Sequence, residues 1–325
     1  MSDMKIDLAL IHQFENELDP RNPENGNIPT RVIGYGEIST VLEIGAGDSK
    51  KLAYKRVPIF QSELEIEHYE ALYNEYIQIM GERMAIQVIP SNLIRITNEY
   101  HKRDVVYIVQ EKVSAESIGN KAIHHLEVSE INRLVLAVLE ELTKVFDFNK
   151  HNQGKLELGI DGQISNWAIA NFNPNTKTLD ENINLIYFDT STPFMRKDGK
   201  ELLDAELFLR SAPSFLVWLL RWLFLEDVMT RYYDFRKVSI DLIANFYKEQ
   251  RPELIPDLVD TVNKFFATQI RDGGFKPLSV EEIKSYYQED AMIWKLYLTF
   301  RKIDRSLHNL FGKYYPYVLP GNIKR

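Results

Sequence analysis

The chain has 325 residues and a formal net charge of −8, with 45% hydrophobic and 26% charged residues, as in an ordinary globular protein. The negative charge argues against broad binding to a nucleic-acid backbone, which needs a basic surface. The absence of cysteine excludes disulfides, cysteine-bound zinc and thiol nucleophiles. The longest apolar stretch, 215–225, contains Arg221 and is shorter than the roughly 20 residues that cross a bilayer. We therefore expect a cytoplasmic protein without nucleic-acid or membrane partners.

The first segment, residues 1–30, is predicted to be an N-terminal extension. Residues 19–27 are rich in proline, asparagine and glycine, which favour turns over regular structure. A short helix is predicted before them, from about Ile6 to Leu18.

Residues 31–57 predict three short strands. A strand, a tight turn and a second strand fill 32–44, and a third strand, from Lys51 to Val57, ends at a proline. Gly34 and Gly36 lie in the first turn. Because glycine has no Cβ, its main-chain N–H groups can approach a phosphate closely, although a plain hairpin has the same pattern.

A helix is predicted from Ser62 to Met80, because Ser62 and Glu65 are typical of a capping box and an apolar stripe follows at helical spacing. A glutamate on this helix could reach Lys55 on the preceding strand. The apolar strand Val105–Gln110 comes next, and an extended connector to Ser114 ends the strand-rich part.

The second part of the chain is predicted to be mainly helical, with helices at 129–146 and over most of 200–312. Between them, Asp161 and Asn166 occupy one loop, and the apolar run 183–188 ends in Asp189. Oxygen-bearing side chains at the ends of short strands are typical of a metal–phosphate site.

This order of elements resembles the protein-kinase-like superfamily, in particular the branch of aminoglycoside phosphotransferases and choline kinases. The resemblance covers about 31–195. It implies an α+β, bilobal fold, with a small antiparallel-sheet N-lobe at 31–113 and a large, mainly helical C-lobe at 114–325.

The resemblance also implies a nucleotide site in the first lobe. Gly34 and Gly36 match the glycine-rich loop, with Ser39 where a third glycine often lies. Lys55 matches the strand-three lysine that holds the α- and β-phosphates of ATP. Main-chain groups of Glu111 and Val113 would contact adenine. Glu70 is the predicted ion-pair partner of Lys55, and Glu67, one helical turn away, is the alternative.

The second half of the implied site is the loop with the Asp-x4-Asn spacing. Asp161 would accept or orient the proton of the acceptor hydroxyl, while Asn166 and Asp189 would bind Mg²⁺. Two positions depart from the family pattern. Gly159 replaces a histidine that usually braces the loop, and Thr190 with Ser191 replaces the usual Phe-Gly after the metal-binding aspartate.

The sequence therefore predicts a phosphotransferase that uses ATP and Mg²⁺ to phosphorylate a hydroxyl of a small molecule. Its expected partners are a nucleotide and an unknown small-molecule acceptor. The alternative is a pseudokinase, a nucleotide-binding or scaffolding module without turnover, which the two departures favour. A third hypothesis, a helical interaction protein with an unrelated strand domain, requires the motif order to be accidental.

Overall fold

The computed structural model describes residues 4–36, 38–152, 154–204, 206–210, 230–269 and 275–321. It has an α+β architecture that joins an antiparallel sheet to a mainly helical part. The apolar stretch 215–225 lies outside the described residues. Within them, no helix combines the length and apolarity that a bilayer crossing demands.

Five strands form the main sheet in the order β1-β2-β3-β5-β4, with antiparallel neighbours throughout. Their bounds are Thr30–Tyr35 (β1), Thr40–Ile44 (β2), Leu52–Val57 (β3), Ser91–Asn98 (β4) and Arg103–Glu111 (β5). Successive side chains of a strand point to opposite faces of the sheet. Accordingly, Val106 and Ile108 join one apolar core, whereas Val105, Tyr107 and Val109 join another. Both faces of the sheet are therefore covered.

Helix α1, Leu8–Glu17, covers the second face of the sheet. Its start is capped by Asp7, whose side chain accepts a hydrogen bond from the main chain of Leu10 at 3.0 Å. Ile11 and Phe14 are buried against the sheet. The short helix predicted near the N-terminus is confirmed, but it packs as an integral layer of the fold instead of extending from it.

A buried ion pair fixes α1 to the sheet. The Arg56 guanidinium on β3 donates two hydrogen bonds of 2.7 Å to the Glu15 carboxylate, and both side chains are at most 1% exposed. Arg56 also donates to the main-chain oxygen of Pro316 at 2.6 Å, and the Tyr107 hydroxyl donates to Glu15. One side chain of the sheet thus holds segments from both ends of the chain.

Helix α2, Glu63–Glu82, covers the first face of the sheet and begins at the predicted cap. The main chain of Glu65 donates to Oγ of Ser62 at 3.3 Å, and the Glu65 carboxylate accepts a hydrogen bond from the main chain of Gln61 at 2.9 Å. Three tyrosines of α2 are buried in the apolar core that this helix shares with the helical part: Tyr69, Tyr73 and Tyr76.

The helical part contains α3 (Gly119–Ala122), α4 (Val128–Asn152), α5 (Glu206–Leu209), α6 (Phe235–Lys248), α7 (Ile255–Gln269) and α8 (Val280–Leu310). Short strands lie between α4 and α5: Leu156–Leu158 (β6), Trp167–Ile169 (β7), Leu185–Tyr187 (β8), Met195–Lys197 (β9) and Lys200–Glu201 (β10). Strands β10, β9 and β6 form one small sheet, and β7 pairs with β8.

Helix α4 runs further than the sequence predicted. It continues to Asn152, beyond the predicted end at residue 146. The Asn149 amide exchanges two hydrogen bonds of 2.8 Å with the main chain of Leu158. These bonds fix β6 to the end of α4.

One apolar core runs from the sheet through α2 into α4, α6 and α7. It includes Ile108 of β5, Tyr73 of α2, Leu142 of α4 and Ile243 of α6. Because this core is continuous across the predicted boundary at residue 114, the division into two lobes stays a prediction.

We expect Glu15→Ala to destabilise the protein by about 3 to 5 kcal/mol, because it leaves the Arg56 guanidinium buried without its carboxylate. Urea unfolding followed by circular dichroism measures the free energy. Glu17→Ala removes an exposed carboxylate from the same helix and should change stability by no more than about 0.5 kcal/mol. Equal losses in the two variants would contradict the structural role of the pair.

Candidate functional site

Lys55 and Asp189 meet although they are 134 residues apart in sequence. Nζ of Lys55 lies 2.5 Å from Oδ1 of Asp189 and donates to Oγ of Ser191 at 3.1 Å. The lysine side chain is 10% exposed and the aspartate 33%. A buried ammonium requires such partners, since an unpaired charge is costly away from water. Two of the predicted site residues are therefore in direct contact.

The Asp189 carboxylate is held in its ionised form. Burial by itself would raise the pKa of Asp189, but the attraction and hydrogen bond of Lys55 oppose burial and lower that pKa below its ordinary value. The hydroxyl of Ser191 adds a hydrogen bond of 3.1 Å to Oδ1. The result is a fixed negative charge beside a fixed positive one.

The β7–β8 hairpin brings the loop of Asp161 close to the contact between Lys55 and Asp189. Asn166 directly precedes β7, and Asp189 follows β8. Because the two strands are antiparallel, with Trp167 opposite Tyr187, these two residues lie at one end of the hairpin. The main chain of Phe188 donates to that of Asn166 at 3.1 Å.

Asp161 and Asn166 are joined within their loop. The Asn166 side-chain nitrogen donates to the main-chain oxygen of Asp161 at 3.1 Å, and the main chain of Gln163 donates to Oδ1 of Asp161 at 3.2 Å. The second contact is a self-capped turn of the kind that aspartate favours. The predicted pair is therefore brought together, with the Asp161 carboxylate oriented by its own loop.

The Asp161 carboxylate has an unusual acidity for an aspartate. Burial raises its pKa, as does repulsion from Asp241 and Asp189, to about 7. A carboxyl group with this pKa changes its protonation state near neutral pH, which is the property of an efficient general base.

Gly159 is firmly braced, although it lacks the side chain that the family pattern would supply. Its main-chain nitrogen donates to Phe194 at 2.9 Å, and its oxygen accepts from the Tyr76 hydroxyl at 2.9 Å. A Cβ at this position would lie 2.9 Å from Cβ of Phe194 and 3.2 Å from Cβ of Tyr232. The glycine allows the loop to pack against these side chains, and main-chain hydrogen bonds take over the bracing.

The predicted ion pair of Lys55 with Glu70 is not formed. Glu70 and Glu67 are both exposed on α2. The face of α2 that points inwards carries Tyr69 and Tyr73 instead. The Tyr69 hydroxyl donates to the main-chain oxygen of Ser191 at 2.8 Å, and the Tyr73 hydroxyl forms a hydrogen bond with Oγ1 of Thr190 at 2.9 Å.

The glycine turn is a tight hairpin between β1 and β2. The last strand pair is Tyr35 with Thr40, and the main chain of Gly36 donates to that of Ser39 at 3.0 Å. A Cβ on Gly36 would lie 2.7 Å from Oγ of Ser39, so a larger residue here would require the Ser39 side chain to rotate. Gly34 faces Val41 beside an irregularity in the strand register. Phosphate binding by Gly34, Gly36 and Ser39 stays a prediction.

The connector after β5 begins next to the segment around Asp189. Glu111 is the last residue of β5 and is exposed, and Val113 follows two residues later. Their predicted main-chain contact with adenine is untested. The neighbouring Gln110, the first residue of the hinge that the kinase-like resemblance implies, is 5% exposed and donates to the main-chain oxygen of Phe188 at 3.2 Å and to Thr190 at 3.3 Å.

The donor set suits a metal that shares its coordination with a ligand. Over the described ranges, no three histidine, aspartate or glutamate side chains converge as a metal cage. The amide nitrogen of Asn166 is engaged with Asp161, and its Oδ1 accepts no hydrogen bond from the part of the chain that is described. One carboxylate and one amide oxygen fit Mg²⁺, which prefers hard oxygen ligands and completes its shell with water and phosphate.

Sequence reasoning missed several residues of this site. Ser191 accepts a hydrogen bond from Lys55, and Tyr69 and Tyr73 form hydrogen bonds with the segment that follows Asp189. Asp241 of α6 raises the pKa of Asp161 by charge repulsion. The tyrosines lie in the apolar stripe of α2, so the sequence indicates burial but not their hydroxyl contacts. Ser191 was visible only as a departure from the family pattern.

The sequence matches no curated protein. Among solved structures, the chain is similar to the GDP complex of wild-type aminoglycoside 2'-phosphotransferase-IIIa, with 9% identity over 73% of this chain and 92% of that chain. The TM-score is 0.32, and at that value two chains need not share a fold.

The sequence pattern of one protein family, described as the family of unknown function DUF6206, matches residues 21–305. The match includes the sheet, Lys55, the loop with Asp161 and Asn166, and Asp189. Since it spans most of the chain, the protein belongs to the DUF6206 family.

Proposed function

We propose that the protein is a phosphotransferase with a two-lobed, protein-kinase-like fold, which uses ATP and Mg²⁺ to phosphorylate a hydroxyl group of a small molecule. The observation that carries this proposal is the contact between Lys55 and Asp189 at the end of the hairpin that also holds Asp161 and Asn166. Two features support the proposal: the order of these residues along the sequence, and their proximity in the fold.

Lys55 supplies the positive charge that phosphoryl transfer needs. In this reaction the protein mainly positions the phosphates and neutralises charge. The ammonium lies on a central strand of the sheet and is held by Asp189 and Ser191, so its location is fixed before a nucleotide arrives. When bound, Mg²⁺ would add positive charge between the phosphates, with Asp189 and Asn166 as its protein ligands.

Asp161 is suited to accept the proton of the acceptor hydroxyl. Its carboxylate is oriented by the main chain of Gln163 and has a pKa of about 7 because of burial and neighbouring carboxylates. A base with this acidity is half ionised at neutral pH and binds a proton strongly enough to assist transfer.

The second candidate function is that of a pseudokinase, which binds a nucleotide without turning it over. One observation favours it: α2 presents Tyr69 and Tyr73 to the segment around Asp189, and its glutamates Glu67 and Glu70 are exposed. Lys55 therefore has no carboxylate partner from α2 among the described residues. If nucleotide binding displaces Asp189 from Lys55, the ammonium keeps only the hydroxyl of Ser191 as a protein partner.

Nucleotide binding is tested by thermal shift with ATP, with and without Mg²⁺. We expect stabilisation that requires the metal, about 2.7 kcal/mol when ATP is at about 100 times its Kd. Lys55→Met and Asp189→Ala should abolish it, because they remove the phosphate and metal contacts. Lys51→Met alters an exposed lysine just before the same strand and should keep it, as should Glu70→Ala and Glu67→Ala. Unchanged binding in both site variants would refute a nucleotide site here.

Turnover separates the two candidate functions. We expect the wild type to hydrolyse ATP slowly in the presence of Mg²⁺, with a rate that rises with pH through about 7 as Asp161 loses its proton. Asp161→Asn should lower the rate by about 10² to 10⁴-fold, since it removes the base. ATP binding without hydrolysis in the wild type would favour the pseudokinase, and an unchanged rate in the variant would exclude Asp161 as the base.

The raised pKa of Asp161 also affects stability. Between its ordinary value of 3.8 and the folded value of about 7, the folded protein retains a proton that the unfolded chain has released. Stability contributed by this group is therefore present at low pH and is lost as the pH rises through about 7. We expect Asp161→Asn to gain stability relative to the wild type as urea unfolding is moved from about pH 5 to about pH 8. A constant difference would contradict the shift.

A further inference from the structure

Gln163 stabilises the loop of Asp161 through both its main chain and its side chain. Its main-chain N–H donates to Oδ1 of Asp161 at 3.2 Å. Its side chain is engaged at both ends of the amide: Nε2 donates to Oδ2 of Asp241 at 3.0 Å, and Oε1 accepts a hydrogen bond from Nδ2 of Asn245 at 2.8 Å. The group that orients the Asp161 carboxylate is thus itself fixed by helix α6.

Helix α6 is shaped to receive this part of the loop. Asp241 and Asn245 are 7% and 4% exposed and lie one turn apart, so their side chains point the same way. Val238, on the same face of α6, packs beside Gly162. A Cβ at residue 162 would lie 2.6 Å from Cγ1 of Val238, so the glycine lets the main chain come close enough for the contacts of the next residue.

We propose that Gln163 is the residue that positions Asp161 for proton transfer, and that Asp241 and Asn245 of α6 serve to hold Gln163 in place. The inference deepens the proposed function, because it assumes that Asp161 handles the acceptor proton. Asp241 and Asn245 touch no reacting atom in this scheme: Asn245 acts through Gln163, and Asp241 acts both through Gln163 and by its charge on Asp161.

The direction of the hydrogen bonds is set by Asp241. Oδ2 of Asp241 accepts a hydrogen bond from the amide nitrogen of Gln163, which can only donate. The amide oxygen of Gln163 then faces Asn245, which has to present its nitrogen. The three side chains have one consistent arrangement. It gives Gln163 a single orientation, as positioning a reactive carboxylate requires.

Asp241 also has polar neighbours on α8. Tyr286 of α8 lines the same small cavity as Asp241, and its hydroxyl accepts a hydrogen bond of 3.1 Å from Arg231. Arg231 lies 3.6 Å from Asp290 on the same helix. Asp241 therefore lies between Gln163 and the polar side chains of α8.

The test exchanges donor and acceptor between residues 163 and 241. Gln163→Glu places a carboxylate against the Asp241 carboxylate and should break the contact. Asp241→Asn alone can keep it, because an amide oxygen still accepts from Gln163. The double variant Q163E/D241N restores both bonds, since the new amide donates to the new carboxylate. Gln78→Glu is the matched control, because Gln78 makes the same kind of bond with Glu82 on the exposed surface of α2 at 2.9 Å.

Two readouts are taken on the full chain. Hydrogen exchange by mass spectrometry follows residues 159–166 without requiring turnover. Steady-state hydrolysis of ATP with Mg²⁺ separates kcat from KM. For Gln163→Glu we expect faster exchange in this loop and a kcat lowered by about 10- to 100-fold with KM for ATP within twofold, because a misplaced base affects the chemical step and not nucleotide binding. The double variant should recover both readouts to within about threefold of the wild type.

Each outcome decides the inference. Wild-type exchange and kcat in Gln163→Glu, or a double variant as impaired as that single variant, would overturn it. An equal effect of Gln78→Glu would also overturn it, by showing that the loop responds to any added charge. If the wild type hydrolyses no ATP, the proposed function fails, and the exchange data alone still show whether α6 holds Gln163 and its loop.

Discussion

The contact between Lys55 and Asp189 is the interaction on which the rest of this site depends. It joins the central strand of the sheet to the end of the β7–β8 hairpin. A lysine with little exposure needs a partner, and its partner must arrive from far along the chain. The segment that follows β8 is therefore fixed by the sheet, and the loop before β7 is fixed with it.

Other side chains converge on the same short segment. Gln110 of β5 donates to Phe188 and Thr190, and Tyr69 and Tyr73 of α2 bind Ser191 and Thr190. The hydrogen bonds from α2 and β5 come from neutral groups, whereas the contact from β3 is charged. Neutral hydrogen bonds are screened little by salt. The attachment of α2 to the site should thus respond less to ionic strength than the contact of Lys55.

The sequence predicted the parts of the site that depend on order along the chain. Lys55 lies on a strand, Asp161 and Asp189 follow strands and Asn166 precedes one, and strand order is visible in apolar patterns. Glu70 and Glu67 are both exposed because tyrosines occupy the inward face of α2, a choice of face that the spacing of the glutamates does not reveal. The hydrogen bonds that support Gly159 could not be predicted, because Tyr76 and Phe194 lie far from it in the sequence.

Arg56 gives the molecule a property that concerns folding and not the site. Its guanidinium binds Glu15, which precedes it by 41 residues, and the main chain of Pro316, which follows it by 260. The loop that must close before the second contact forms is nearly the whole chain, and closing long loops costs entropy and time. Arg56 therefore reaches its final set of partners only when the segment around Pro316 has returned to the sheet, so the burial of a residue near the start of the sequence depends on one near its end.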